Sequence, residues 1–411
     1  MIRKYAFFLM LSALSAVTVA AAPYDTVFHQ KIFDDAVIHF DEKQHPGSIS
    51  EVGGTLVIAN GRILLKKVAL PRHSRDARLM VSVTLASNGD PWDKAGSLFV
   101  IPSDTRISMI DVARGSAAYP AATSDAKKTL RGMIPEKGFV PPVELLRFMT
   151  PFGVGYYNPK DSVQREQIMP TYIDGFAENV EWADDITDRL PIFQAEDSVY
   201  VGLAIDSWLP TGYRVTVKLT MLESSVKGDR AKKQHVLPLC NTLAYYQQDY
   251  CDYFAKRTLD IPFSLPKACR NATLYYIVTG HGGHDGGDEF TPCENILQLD
   301  GNEILRFTPW RNDCASFRRF NPSTGVWLHK RKVRVIGHRG REVKEVEEPF
   351  ASSDLSRSNW CPGSQVPPVS VPIQNLAKGS HSLSISIPKA QESQGDRLNH
   401  WLVSAWIVWE E

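Results

Sequence analysis

Apolar and polar residues alternate with a period of two through much of this chain, which predicts strands rather than helices. Leu79, Val81, Val83 and Leu85 alternate with Met80, Ser82 and Thr84, the pattern of a strand with one buried face. A clearer case sets Tyr213, Val215, Val217, Leu219 and Met221 opposite Arg214, Thr216, Lys218 and Thr220, just after a Pro210-Thr211-Gly212 turn. Leu383, Ile385 and Ile387 alternate with serines in the same way. Short apolar runs at Ser97–Ile101, Val199–Ile205, Leu274–Val278, Ile296–Leu299 and Trp401–Trp409 predict further strands, and Arg331–Ile336 another. Asp300-Gly301, between Ile296–Leu299 and Glu303–Phe307, suits the tight turn of a hairpin. The mixed-charge run Arg339–Glu348 reads as a solvated hairpin or loop. Many short strands with Gly, Pro and Asp at the turns indicate an all-β protein of two antiparallel jelly-roll β-sandwich domains.

The pattern breaks in three places. Residues 1–21 read as a signal peptide: Arg3 and Lys4, an apolar stretch from Tyr5 to Val19, then small residues before Pro23. The chain is therefore expected to be exported, periplasmic or secreted, with no stretch apolar and long enough to stay in a membrane. The polar run Glu223–Gln234 is the expected linker, dividing an N-terminal domain (22–224) from a C-terminal one (225–411). Asp104–Pro142 carries no clear period and reads as a long insertion or lid, with a short helix near Ser124–Leu130.

Lys+Arg and Asp+Glu both total 46, so no net charge draws the chain to nucleic acid. The six cysteines all fall in the second half, at Cys240, Cys251, Cys269, Cys293, Cys314 and Cys361. An even count in an exported chain without paired Cys-x-x-Cys spacing predicts three disulfides, with the connectivity left open. The absence of cysteine before Cys240 also marks a change of module just upstream of it.

Candidate chemistry concentrates in the stretch from Thr279 to Glu294, where five glycines, His281, His284, Asp285, Asp288, Glu289 and Glu294 follow one apolar run and precede another. Glycines let a backbone approach a ligand, and loops held by rigid strands commonly carry function. A metal loop, a polyol- or glycan-binding loop and a solvated loop all fit this composition. His281 and His284 could ligate a metal only with Asp285, Asp288 or the distant His29 and His400, an incomplete set, so no metal or other cofactor is expected. No nucleophile elbow, zinc-protease motif, P-loop or dinucleotide fingerprint occurs. What remains is carboxylates beside aromatic or glycine-rich loops: Trp92-Asp93, Asp206-Ser207-Trp208 and Glu294. A tryptophan face packs on sugar C–H groups while an acid binds hydroxyls or moves protons.

Several stretches, in order, resemble the peptide-N-glycosidase F family, bacterial enzymes built of two side-by-side jelly rolls. The family's Glu-Trp-Asp-Arg resembles Pro91-Trp92-Asp93-Lys94, and its Arg-Phe-Ile-Thr-Pro-Tyr-Trp-Val-Gly resembles Arg147–Gly155. Its Asp-Val-Thr-Asp resembles Asp185-Ile186-Thr187-Asp188, and its Gly-Trp-Gly-His resembles Gly280-His281-Gly282-Gly283. Its Cys-Ala-Glu-Trp is set against Cys293-Glu294-Asn295, and its Arg-Ala-Gly-Trp-Cys-Pro-Gly against Arg357–Gly363. The resemblance implies hydrolysis of the amide joining an N-linked glycan to asparagine, in a cleft between the domains. It implies catalytic roles for Asp93, Glu294, Asp206 and Arg357, and sugar contacts by Trp92, Trp208, His281 and Trp360. N-glycosylated proteins or peptides would be the partners of a monomer that needs no metal. Cys314–Cys361 resembles a family disulfide, which leaves Cys240–Cys251 and Cys269–Cys293 as the inferred pairs. Two other readings stand beside this one: a glycan-binding protein of the same fold without catalysis, and a copper-dependent monooxygenase, whose fold also pairs two jelly rolls.

Overall fold

The computed structural model describes residues 24–121, 130–153, 175–284, 286–322, 326–338 and 340–411. The expected signal peptide, residues 1–21, lies outside them, as do most of the helix expected near Ser124–Leu130 and the metal candidate Asp285. Among the described residues, no helix is long and apolar enough to cross a membrane.

The first half contributes β1 (Tyr24–Ile38), β2 (Ile49–Val52), β3 (Thr55–Ile58), β4 (Ile63–Val68), β5 (Ala77–Ser87), β6 (Ala95–Ile101), β7 (Val143–Met149), β8 (Asn179–Asp185), β9 (Val199–Ile205) and β10 (Tyr213–Ser224). The second half adds β11 (Gln234–Asn241), β12 (Leu259–Leu265), β13 (Cys269–His281), β14 (Asn295–Leu299), β15 (Asn302–Phe307), β16 (Val326–Gly337), β17 (Gly340–Ala351), β18 (Gln365–Val366), β19 (Val369–Leu376), β20 (Gly379–Ser386) and β21 (His400–Glu410). Every ladder between these strands is antiparallel.

In the first half the sheet β1-β10-β5-β8 packs on the seven-stranded sheet β18-β7-β6-β9-β4-β3-β2. The inward faces follow the period-two pattern: Tyr213, Val215, Val217, Leu219 and Met221 are fully buried, opposite Leu79, Val81, Val83 and Leu85. The second half closes β11-β21-β13-β19 over β12-β20-β14-β15 around a second core. The Asp300-Gly301 corner has both residues at positive φ, 51° and 78°, as a two-residue hairpin turn requires. Gly340–Glu348 of the mixed-charge run lies in one arm of the β16–β17 ribbon, which among the described residues pairs with no other strand.

Two segments cross the seam between the halves. β18 belongs to the second half by sequence but extends the first half's sheet at β7, pairing Gln365 with Phe148 and Val366 with Arg147. The 104–142 segment, as far as it is described, does not stand away as a lid. It forms α1 (Met109–Ala113), capped by Ser108, and buries Met109, Ile110, Tyr119 and Phe139 with Leu243 and Tyr245 of the second half. Its Leu130 and Met133 join the core of the second half. A short helix therefore exists where Ser108 and Asp111 form a capping box.

The seam also holds a buried ionic cluster. Arg147 of β7 donates from Nε and Nη2 to Glu144 (3.1 and 2.5 Å) and from Nη1 to the Leu402 carbonyl of β21 (2.6 Å). Ser97 donates to Glu144 (2.8 Å) and lies 2.9 Å from the Tyr245 hydroxyl. A buried ion pair is tolerable only with such further partners, and here they come from both halves. On the same seam Asp188 accepts from Arg189 (3.0 Å) and from the Trp406 indole (3.1 Å).

Cys314 and Cys361, 47 residues apart, form a disulfide. The inferred pairs Cys240–Cys251 and Cys269–Cys293 are not formed, and all four are free thiols. Cys240 and Cys269 pack in the second core as small apolar groups, while the Cys293 thiol meets the Lys389 carbonyl at 3.4 Å.

Candidate active site

The site grows from three loops at one end of the seam. The first, Asn88 to Lys94, joins β5 to β6, and its rigidity comes from Asp90, which is fully buried. One Asp90 oxygen accepts from the Trp92 amide (3.0 Å) and the other from the Ser207 hydroxyl (2.7 Å). The Trp92 carbonyl accepts from Thr150 (2.7 Å) and from the Tyr213 hydroxyl (2.6 Å). Asp93 follows directly on this anchored peptide, with its side chain only 19% exposed.

The second loop follows β13. Gly280, at the end of β13, is needed where that loop packs, since a Cβ would fall within 3.0 Å of Trp401, Ser358 and the Asp288 carbonyl. Asp288 is buried and anchors the loop, accepting from the Gln391 amide (3.1 Å). Glu289 is then turned inward and accepts from Arg357 Nε at 2.8 Å. The third loop carries Arg357, whose Nη1 donates to the Leu355 carbonyl (3.0 Å), and whose guanidinium lies over Phe290 (5.1 Å) and Trp360 (4.9 Å). Its Nη2 stands 3.8 Å from Asp93 Oδ2, an ion-pair separation too long for a hydrogen bond. A substrate oxygen can therefore enter beside a donor that the protein has not used up.

Burial pushes Asp93 up to about 6, with Arg357 pulling the other way. Burial likewise pushes Glu289 up to about 7, again opposed by Arg357 and assisted by the charge of Asp93. Two carboxyl groups from different halves thus flank one arginine, and their titrations are coupled.

Asp206 lies beside the first loop, its amide donating to the Ala95 carbonyl at the start of β6 (3.2 Å) and its carboxylate 3.7 Å from Arg62. Desolvation by its surroundings raises its pKa, although the side chain is 62% exposed and solvent screens much of the effect. Trp92 and Trp208 are 48% and 55% exposed, the former edge-on to Phe152 and the latter under the Arg62 guanidinium (4.2 Å).

Three of the expected site residues stand elsewhere. Glu294 points outward, 42% exposed, and pairs with Arg306 at 2.7 Å. Glu289 occupies the inward position instead, and Glu289-Phe290 keeps the acid-then-aromatic order of the family's Cys-Ala-Glu-Trp piece, which Glu294-Asn295 does not. That order was the available signal. Trp360 is buried, its indole donating to the Gly280 carbonyl (2.9 Å), so it is a wall rather than a sugar platform. His281 is buried too, stacked between Trp360 (5.4 Å) and His400 (5.2 Å). Among the described residues, no three His, Cys, Asp or Glu side chains are grouped to hold a metal.

Two family models match the chain: "Peptide-N-glycosidase F, N terminal" over residues 29–221 and "Peptide-N-glycosidase F, C terminal" over 249–408. The fold and these matches define a two-domain jelly-roll protein of the peptide-N-glycosidase type. The chain belongs to the peptide-N-glycosidase F family. A solved structure of PNGF-II is 31% identical, with a TM-score of 0.78 over 93% of this chain. The chain spans 65% of the length of that protein. PNGase F from Flavobacterium meningosepticum, a glycosylasparaginase, shares the fold at 14% identity, with a TM-score of 0.56 over 94% of this chain and 96% of its own. No curated protein matches the chain.

Proposed function

We propose that the protein hydrolyses the amide bond between an N-linked glycan and the asparagine side chain of a glycoprotein or glycopeptide. The observation that carries this reading is the carboxylate–arginine–carboxylate group Asp93–Arg357–Glu289, in which Arg357 Nη2 lies close to Asp93 but, among the described residues, makes no hydrogen bond and stays available to a substrate oxygen. Ionised Asp93 takes a proton from the attacking water as its oxygen bonds to the side-chain carbonyl carbon. Arg357 stabilises the negative charge that develops on the carbonyl oxygen. Glu289, protonated beforehand, gives its proton to the departing nitrogen. The products are an aspartate in the peptide and a glycosylamine, which loses ammonia in water. The exposed parts of Trp92 and Trp208 offer apolar surface to the first sugars, and the exposed Asp206 carboxylate offers a hydroxyl acceptor.

The test is incubation with a glycopeptide, followed by mass spectrometry for asparagine-to-aspartate conversion and free glycan. Asp93→Asn should abolish both while leaving the fold intact. Release at the normal rate by that variant would remove Asp93 from the mechanism. Binding without release by the unaltered protein would make it a glycan-binding member of the family.

A further inference from the structure

We propose that His281 is a positioning residue for Arg357, the central layer of a stack that ties the arginine to the opposite half of the molecule. The inference rests on the reading of Arg357 given above and deepens it. The Arg357 guanidinium lies 4.9 Å over the Trp360 ring, Trp360 stacks on His281 at 5.4 Å and 22°, and His281 stacks on His400 at 5.2 Å and 14°. Trp360 is fixed in the ring plane by its bond to Gly280, the residue before His281. The imidazole is fixed in turn: its Nε2 lies 2.8 Å from the Thr279 hydroxyl. Arg147 Nη1 reaches the same hydroxyl at 3.4 Å.

The direction of these bonds follows from chemistry. A guanidinium only donates, so Thr279 Oγ1 accepts from Arg147; the fully buried hydroxyl still needs an acceptor for its own proton, and His281 Nε2 at 2.8 Å supplies it. Nε2 then carries a lone pair, and the ring is neutral with its proton on Nδ1. Burial beside His400 and Arg147 holds His281 well below the ordinary histidine value, in keeping with that form. A neutral ring adds no charge that would compete with Arg357 for Glu289 or Asp93. Arg147 belongs to β7 of the first half, as Asp93's loop does, whereas Arg357 belongs to the second. The relay Arg147–Thr279–His281–Trp360–Arg357 therefore registers the arginine against Asp93 across the seam.

The experiment compares His281→Ala, His281→Phe and Thr279→Val, each checked for folding by circular dichroism and melting temperature. Kinetics on a glycopeptide should show kcat for His281→Ala lowered about tenfold or more, the scale of a small misplacement at a reacting centre, with KM little changed. His281→Phe keeps the flat ring and should recover most of kcat; Thr279→Val keeps the imidazole but loosens it and should fall between the two. A second readout needs no turnover: the Arg357 Nε–H resonance, assigned with Arg357→Lys, should broaden or shift in His281→Ala and stay close to its normal position in His281→Phe. Should His281→Ala fail to fold, the pair His281→Phe and Thr279→Val decides by the same measures. Normal kcat with an unmoved Arg357 resonance in the ring-deleted or Thr279 variants would overturn the inference, and so would a rise in KM alone, which marks a substrate contact. Absence of glycan release by the unaltered protein would instead defeat the proposed function, leaving the resonance to judge the stack.

Discussion

Two glutamates five positions apart in one loop have opposite fates, and the difference can be measured. Glu289 meets Arg357 inside the seam, whereas Glu294 pairs with Arg306 at the surface. Glu289→Gln should lower kcat about a hundredfold or more, the usual contribution of a positioned proton donor. Glu294→Gln should leave it within about twofold, since exposed ion pairs contribute little. With Asp93 at about 6 and Glu289 at about 7, the productive pair of ionised Asp93 and protonated Glu289 is most populated between those values. A plot of kcat/KM against pH should therefore be bell-shaped with its limbs near them. The same burial acts on stability. An aspartate raised from 3.8 to about 6 binds its proton more tightly in the folded state, so its contribution is present at low pH and is lost as pH rises through about 6. Asp93→Asn should then raise Tm relative to the unaltered protein above about pH 6, by an amount that shrinks as the pH falls from about 6 toward 3.8.

At the scale of elements, Asp90 joins the two loops that carry Asp93 and Asp206. It holds the Trp92 amide and the Ser207 hydroxyl with separate oxygens, so Asp90→Ala should disturb both loops and leave buried donors unpaired. The expected cost is about 2–4 kcal/mol of stability, read by urea denaturation, together with a loss of kcat larger than that of Asp206→Asn. The Cys314–Cys361 bond closes the segment that carries Arg357, so its double replacement by alanine should cost about 2–4 kcal/mol in the same measurement. Strands of this kind were legible in the sequence because a period of two is a local property: the faces of β5 and β10 follow directly from alternation. Asp93 and Arg357 could be singled out through motifs. Loop interiors were not legible, since nothing periodic says whether Glu289 or Glu294 turns inward, or that a ring such as Trp360 or His281 is walled in by its neighbours. The cysteine count likewise says nothing about distance, and Cys240, Cys251, Cys269 and Cys293 remain thiols.

For the whole molecule, the linker after β10 suggests two separable bodies, but the contacts describe one. The 104–142 segment buries side chains with both halves, Arg147 joins β7 to β21, and the candidate site takes Asp93 from one side and Arg357 and Glu289 from the other. The long-range pairing that makes this so is invisible to local pattern, because β18 is two residues long and carries no periodic signal.

That short strand has a consequence for anyone who cuts the chain. The Met149 amide of β7 donates to the Ser364 carbonyl (2.8 Å), and the Trp182 indole of β8 donates to the Gly363 carbonyl (3.0 Å), so the second half clasps both sheets of the first. Produced alone, residues 24–224 would expose β7 as a bare edge, ready to pair with another copy. Supplied together, the two fragments should re-form a soluble heterodimer with restored turnover, so the linker could be severed without separating what it joins.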